Sequence, residues 1–453
     1  MIIMMKQADN RWIDRILRIF RKDLRWLMPG LGVKRWIVVI LAGTTLIAIG
    51  FAYLLLDAYR SNPSSTWWLR VISLLSLRFL DRTLRALIFG GFGVALVLIG
   101  NWGLNRALIK PFMQPGRHVY DTVSAYRRKE RGPRIVVIGG GTGLSSLLRG
   151  LKEYSTNITA IVTVADDGGS SGELRRTIGI LPPGDIRNCL AALSNDEALL
   201  TQIFQYRFST GAGLNGHTLG NLLITALTDI TGSFEEAVAE TGRVLAVQGR
   251  VLPATLHDVK LVADIESPGE VGVVQQVRGE SQIPKAAGKV QRVWLEPNNP
   301  EAFPPTLQAL LSADLIVVGP GSLFTSILPN LLVPDIAEAI RASRALKFYV
   351  CNVATQPGET DGFCCGDHVA TLETHTGSRL FDIVLSNNRF EGKLPDGPQW
   401  VKTDQDLKQK YSIYSADLID LENPWRHDSA KLAKAIIDLY YERTGPLISK
   451  EDY

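Results

Sequence analysis

Cysteine is scarce in this chain, with four residues in 453: Cys189, Cys351, Cys364 and Cys365. They make no CxxC pair and no evenly spaced set, which excludes a disulfide framework and a zinc or dithiol redox motif. They read as reduced thiols in a reducing compartment. Cys364, Cys365, His368 and His375 are neighbours in sequence without the spacing of a tetrahedral metal site. The GxxxxGK[ST] phosphate loop is missing, so a P-loop nucleotidase is excluded. Internal repeats and low-complexity tracts are absent as well. With 46% hydrophobic and 21% charged residues the chain is not a disordered one. Its length suffices for one large domain with appendages.

Charge of either sign is nearly balanced over the whole chain, at +4, but not along it. Residues 1–134 hold 22 Lys and Arg against 7 Asp and Glu, whereas residues 135–453 hold 27 against 38. A globular part with a net charge of −11 lacks the phosphate-neutralising surface that nucleic-acid binding requires. No nucleic-acid partner is expected.

The basic N-terminal part contains the long apolar runs. Residues 36–56 and 86–104 are 21 and 19 positions without a charged side chain. At about 1.5 Å per residue the first spans roughly 31 Å as a helix, the thickness of a bilayer core. Nine Lys and Arg precede the first run, five lie between the runs, and eight follow in 105–134. The positive-inside rule then predicts a transmembrane hairpin with both termini and the globular part in the cytoplasm. The arm 1–35 includes the amphipathic, basic stretch Trp12 to Phe20, and 105–133 reads as a basic linker.

From Arg134 onward, β-branched runs alternate with helical stretches, which predicts an α/β domain over 134–453 built on a Rossmann-like, mostly parallel sheet. Around 250–297 the helical signal fades, and four short strands suggest an inserted β-rich subdomain. The strand Ile135 to Ile138 runs into Gly139, Gly140, Gly141, Thr142 and Gly143 ahead of a helix, a backbone cradle for an anion. The third glycine of a dinucleotide fingerprint is replaced by Leu144 or Ser146, depending on the reading frame, which disfavours an NAD-dependent dehydrogenase. The next strand ends in Asp166 and Asp167, placed where a dinucleotide fold keeps its ribose-binding acid. Two adjacent carboxylates also suit Mg²⁺ bridged to phosphate. Gly168, Gly169, Ser170 and Ser171 add flexible donors. Asp185 reads as an N-cap, with Arg187 and Asn188 in the turn behind it. His217 and Asn221 are spaced one helical turn apart. A second glycine turn, Gly319, Pro320, Gly321 and Ser322, follows Leu315 to Val318, and a polar loop bearing Asn352 and Thr355 follows Phe348 to Val350. These strand ends are expected to share one phosphate-bearing site.

The segments GGGTG at 139–143, ADDGGSSGELR at 165–175, PPGDIRN at 182–188, NGHTLGNLL at 215–223, GPGSLFTSILPNLL at 319–332 and CNVATQPGET at 351–360 resemble the YvcK group of gluconeogenesis factors. A wider relative is CofD, 2-phospho-L-lactate transferase. The resemblance implies a ligand linked to a nucleotide, such as UDP-N-acetylglucosamine, and a regulator supporting cell shape and envelope growth on gluconeogenic carbon. Its alternative is a Mg²⁺-dependent transferase of a nucleotide-linked phosphoryl group, with Asp166 or Asp167 on the metal. A homo-oligomer is compatible with it. The apolar hairpin lies outside the resemblance and favours a sensor held at the membrane.

Overall fold

The computed structural model describes residues 129–130, 132–194, 197–211, 213–267 and 273–445, with scattered positions between 41 and 98. The arm 1–35, most of the two apolar runs and nearly all of the linker 105–133 lie outside the described residues. Among the described residues no single helix is long and apolar enough to cross a membrane. The chain divides into two units, Met1–Arg127 and Arg128–Tyr453.

In the second unit the apolar runs become strands. Ile135–Gly139 (β1) and Ile158–Val162 (β2) are buried at every position, as strands covered on both faces must be. Between them Gly141–Leu151 (α1) buries Leu144, Leu147, Leu148 and Leu151, one stripe at the helical period. Gly169–Ile178 (α2), Gly184–Leu193 (α3), Glu197–Gln205 (α4), Leu219–Thr231 (α5) and Phe234–Val244 (α6) precede Arg250–Pro253 (β3). Ser233 caps α6, its hydroxyl accepting the Glu236 N–H at 3.2 Å. Three strands follow, Lys260–Glu266 (β4), Val274–Arg278 (β5) and Lys289–Glu296 (β6), then Pro304–Ser312 (α7) and Leu315–Val318 (β7). A π-helical turn, Leu323–Ile327, runs into Leu328–Leu331 (α8) and Pro334–Ala342 (α9). Leu346–Val350 (β8), Cys365–Thr376 (α10), Ile383–Asn387 (β9), Gln405–Lys410 (α11), Ser412–Ala416 (β10) and Ser429–Thr444 (α12) complete the unit.

Seven strands form one wholly parallel sheet in the order β10-β9-β8-β7-β1-β2-β3. The chain runs outward from β1 through β2 to β3, then resumes on the other side of β1 at β7. The carboxyl ends of β1 and β7 therefore flank the crevice where open parallel sheets receive ligands. The remaining strands make a separate antiparallel sheet, β5-β4-β6. One expectation changes here. Val251 and Leu252 belong not to the insert but to β3, which pairs in parallel with β2 and satisfies the hydrogen-bonding edge that β2 would otherwise leave open.

Candidate functional site

The two glycine turns meet at the switch point. A Cβ on Gly143 would lie 2.8 Å from the Pro320 carbonyl oxygen and 3.2 Å from the Gly321 Cα, so the first helical turn of α1 packs directly on the turn after β7. Only hydrogen-sized side chains permit this approach. Gly141 and Gly319, at φ of 66° and 83°, also hold left-handed backbone that other residues resist.

Asp185 caps a helix, but not its own. It sits inside α3, one residue past Gly184, and its partly buried carboxylate accepts the N–H of Gly141 at the start of α1. A Cβ on Gly140 would come within 2.6 Å of its Oδ2. Burial, followed by the nearby charge of Asp166, pushes this carboxyl up to about 6, against the pull of Gly141 and Arg187. Asp166 is raised as well, chiefly by burial, although it accepts from the Gly168 N–H at 2.8 Å and from the Ser171 hydroxyl. With the Gly141 N–H engaged by Asp185, the first turn of α1 offers Thr142 and Gly143, whose N–H groups have no intrahelical acceptor.

Asp167 points elsewhere. Its Oδ1 accepts the Ser281 N–H at 2.8 Å, and a Cβ on Gly279 would collide with its Oδ2. The expected acidic pair is thus split: Asp166 faces Asp185, and Asp167 holds the segment joining β5 to β6. Among the described residues no three His, Cys, Asp or Glu side chains form a ready-made metal cage. Two carboxylates beside a phosphate cradle nevertheless match the way Mg²⁺ is held, by one or two carboxylates with the rest of its shell from phosphate and water.

Ser170, His217 and Asn221 do converge, whereas Ser171 turns to Asp166. Ser170 Oγ lies 3.0 Å from His217 Nδ1 and accepts from Asn221 Nδ2 at 3.0 Å, and His217 Nε2 is 3.4 Å from Glu173 Oε2. His217 is not on the helix with Asn221, because α5 begins at Leu219 behind the N-cap Thr218. The extended cap folds the imidazole back onto Ser170. Gly168, Ser170 and Gly172 carry the spacing of a nucleophile elbow, a signal lost when the segment is read as an acidic tip. Its geometry is different, for Ser170 lies in the first turn of α2, and the only described non-glycine residues with positive φ are Ala246 and Asn299. Arg187 ties the group together, donating to Asn221 Oδ1 at 3.1 Å, Asn188 Oδ1 at 2.9 Å and the Thr218 hydroxyl, while its Nε stays buried without a partner.

The second glycine turn is internally occupied. Asn352 accepts from the Gly321 N–H at 3.3 Å and donates to its carbonyl at 2.9 Å, and Gln356 Nε2 donates to Ser322 Oγ at 2.7 Å. Glu359 accepts from the Thr325 hydroxyl at 3.1 Å and from the N–H groups of Phe324 and Thr325. A carboxylate therefore already fills the helix start where phosphate was expected. Burial raises Glu359 to about 7 despite these donors. Thr355 is pinned to Gln399 by two hydrogen bonds, 2.8 and 2.9 Å, and braces the loop.

Two acids that the sequence reading passed over belong to this site. Glu359 stands inside the motif quoted at 351–360, but only the fold reveals that it is buried. Glu280 lies between β5 and β6 with no motif around it, and its carboxyl is raised well above the usual range, first by burial and then by the charges of Asp166, Asp185, Asp167 and Glu359.

A family model described as 2-phospho-L-lactate transferase CofD matches residues 135–419. The gluconeogenesis factor of Bacillus subtilis (strain 168) is 46% identical over 331 residues, covering 68% of this chain and 99% of its own. That of Halalkalibacterium halodurans is 54% identical over 313 residues, covering 67% and 95%. A protein of Nostoc sp. (strain PCC 7120) is 48% identical over 455 residues, 96% of this chain and 95% of its own. The crystal structure of a UPF0052-family protein from Bacillus halodurans superposes with a TM-score of 0.63 at 45% identity, covering 68% of this chain and 99% of that one.

Proposed function

This chain belongs to the CofD family, and from that premise we propose that it is a gluconeogenesis factor: a regulator that binds a nucleotide sugar of the UDP-N-acetylglucosamine kind and supports cell shape and envelope growth on gluconeogenic carbon. The observation that carries the reading is the contact between the Gly143 and Pro320 turns at the switch point of the sheet. A diphosphate seated there would take the N–H groups of Thr142 and Gly143 and the positive end of α1, an interaction worth about 0.3–2 kcal/mol per favourable helix terminus. Mg²⁺, held by Asp166 and Asp185, would neutralise the remaining phosphate charge.

The N-terminal hairpin would hold this site at the cytoplasmic membrane face. Phe92, Val94 and Leu98, described positions of the second apolar run, are helical with their side chains 58–64% exposed, as lipid-facing residues are. Homo-oligomers are compatible with the arrangement, and nucleic acid is not a partner in it.

A second reading, Mg²⁺-dependent transfer of a nucleotide-linked phosphoryl group, is favoured by the Ser170–His217–Glu173 relay. There the acceptor's hydroxyl would pass its proton to His217 Nδ1 by way of the Ser170 hydroxyl as it attacks phosphorus, and the bond to the donor's nucleoside monophosphate would break to release that group. Titration of the full chain in detergent with UDP-N-acetylglucosamine, with and without Mg²⁺, followed by phosphorus NMR, separates the two. Binding with an unchanged donor signal supports the regulator. Donor loss that disappears in Asp185→Asn supports the transferase, and no binding removes both.

A further inference from the structure

All seven strands of the main sheet run the same way, so the connections that leave them gather at one end of the domain and those that enter them gather at the other. The two ends differ in charge. Counted with the nearest helical turn, the leaving segments 162–172, 253–259, 350–368, 387–408 and 416–432 hold fourteen Asp and Glu against six Lys and Arg. The entering segments 148–158, 241–250, 309–315, 339–346, 373–383 and 407–412 hold nine Lys and Arg against four Asp and Glu. The acidity of the domain is thus confined to the end that carries the crevice.

At the entering end several acids are already engaged. Glu153 pairs with Lys129 at 3.0 Å and Asp314 with Arg134 at 2.7 Å, and Asp382 accepts the Lys347 N–H at 2.9 Å. Arg250, Arg344, Lys408 and Lys410 are exposed there and have no ion-pair partner among the described residues. Lys408 and Lys410 lead into β10 and Arg250 opens β3, the two edges of the sheet, while Arg344 leads into β8 between them. At about 4.8 Å between strands, six spacings spread these cations over roughly 29 Å. Apolar tips stand beside them: Leu311, in the last turn of α7, is 56% exposed and Val244, the last residue of α6, is 65% exposed. A cavity of about 420 Å³, lined by Arg134, Asn157, Thr159, Arg250 and Ser312, opens at the same end.

We infer that this end of the sheet is a docking face for an anionic bilayer surface, with Arg250, Arg344, Lys408 and Lys410 on the headgroups, Leu311 and Val244 in the interfacial layer, and the cavity beside Arg250 receiving a lipid phosphate. Cations with apolar tips among them fit a charged lipid surface, which offers both phosphate and hydrocarbon, better than a purely polar anion. The chain also enters the domain at this end, from the segment 105–134 with its eight Lys and Arg. The face is distinct from the hairpin, which would tether the chain without orienting it. Docked in this way, the domain turns its acidic end, and the crevice between β1 and β7, toward water, because anionic lipid repels that end.

The test places the full chain in nanodiscs of phosphatidylcholine alone or of equimolar phosphatidylcholine and phosphatidylglycerol, and follows amide exchange. Segments 154–158, 245–250 and 343–346 should exchange at least threefold more slowly in the anionic discs at low salt, and 388–404 should be unchanged. In 1 M salt, where the screening length falls to about 3 Å, the protection should vanish. The double variant Arg250→Glu with Arg344→Glu should lose it as well, with its urea midpoint unmoved, whereas Lys393→Glu at the acidic end should keep it. Equal exchange in the two discs, or protection that survives the double variant, would overturn the docking face. Protection produced in neutral discs by glycerol 3-phosphate or by single-stranded RNA would make it a small-anion or nucleic-acid site and overturn it too. Should the chain separate from both discs, the hairpin reading falls, and co-flotation with phosphatidylglycerol but not phosphatidylcholine vesicles decides the face by itself.

Discussion

Replacing Asp185 by asparagine should stabilise the unliganded protein, and only above a definite pH. The Asp185 carboxyl is raised from 3.8 to about 6, first by desolvation and second by the nearby charge of Asp166. The folded chain therefore holds this proton more tightly than the unfolded chain does. Between about pH 4 and pH 6 the native state binds the extra proton, so this group's contribution to stability falls as pH rises through that window. Above it both states are ionised, and the fold carries the whole cost of the buried charge, about 3 kcal/mol at ~1.36 kcal/mol per pH unit. Asparagine removes the charge and keeps an oxygen for the Gly141 N–H. Asp185→Asn should then exceed wild type by about 2–3 kcal/mol at pH 8 and by less than about 1 kcal/mol at pH 4, with Tm raised by several degrees at the higher pH. Thermal and urea melts at pH 4, 6 and 8, without divalent cations, measure this. A gain that is the same at all three values, or a loss at each, would refute the reasoning, because neither follows from a buried charge. The same variant should lose Mg²⁺-dependent nucleotide affinity, trading the site for stability.

Gly143→Ala should separate the two glycine turns, since its Cβ would stand 2.8 Å from the Pro320 oxygen; a loss of about 1–3 kcal/mol in urea melts and at least tenfold weaker nucleotide binding are expected. Asp167→Ala removes the acceptor of the Ser281 N–H at a cost of about 1 kcal/mol, and amide exchange across 279–285 should accelerate while that of β1 and β7 does not change. The full chain expressed in bacteria should stay in the membrane pellet after alkaline carbonate extraction, and release into the supernatant would remove the hairpin from the account.

The sheet was the most legible part of the chain. Ile135 to Ile138 and Leu315 to Val318 are short β-branched runs stopped by glycine, and both lie in adjacent central strands. Periodicity could not place Val251 and Leu252, because a four-residue strand reads alike at the edge of a parallel sheet or within an antiparallel one. At the site, local rules marked residues that the fold brings together and mistook some of their neighbours. Asp185 has the chemistry of an N-cap, but the helix it caps lies some forty residues earlier in the chain. His217 and Asn221 are linked, but through Ser170 rather than through a shared helical face. The second glycine turn has the letters of an anion cradle, yet Asn352 and Glu359 already accept from its donors, and Gln356 donates to its Ser322 hydroxyl. Such occupation depends on side chains brought from distant strands, and spacing along the chain does not encode it. Glu280 had no local signature, because the segment between β5 and β6 that carries it is placed by Asp167 and Gly358, both distant in the chain.

β5 leads directly into the segment 279–285, which is followed closely by β6, and these are the two outer strands of the antiparallel sheet, with β4 between them. The Ser281 anchor on Asp167 and the Pro284 contact with Gly358 therefore tie both edges of the small sheet to the loops that follow β2 and β8.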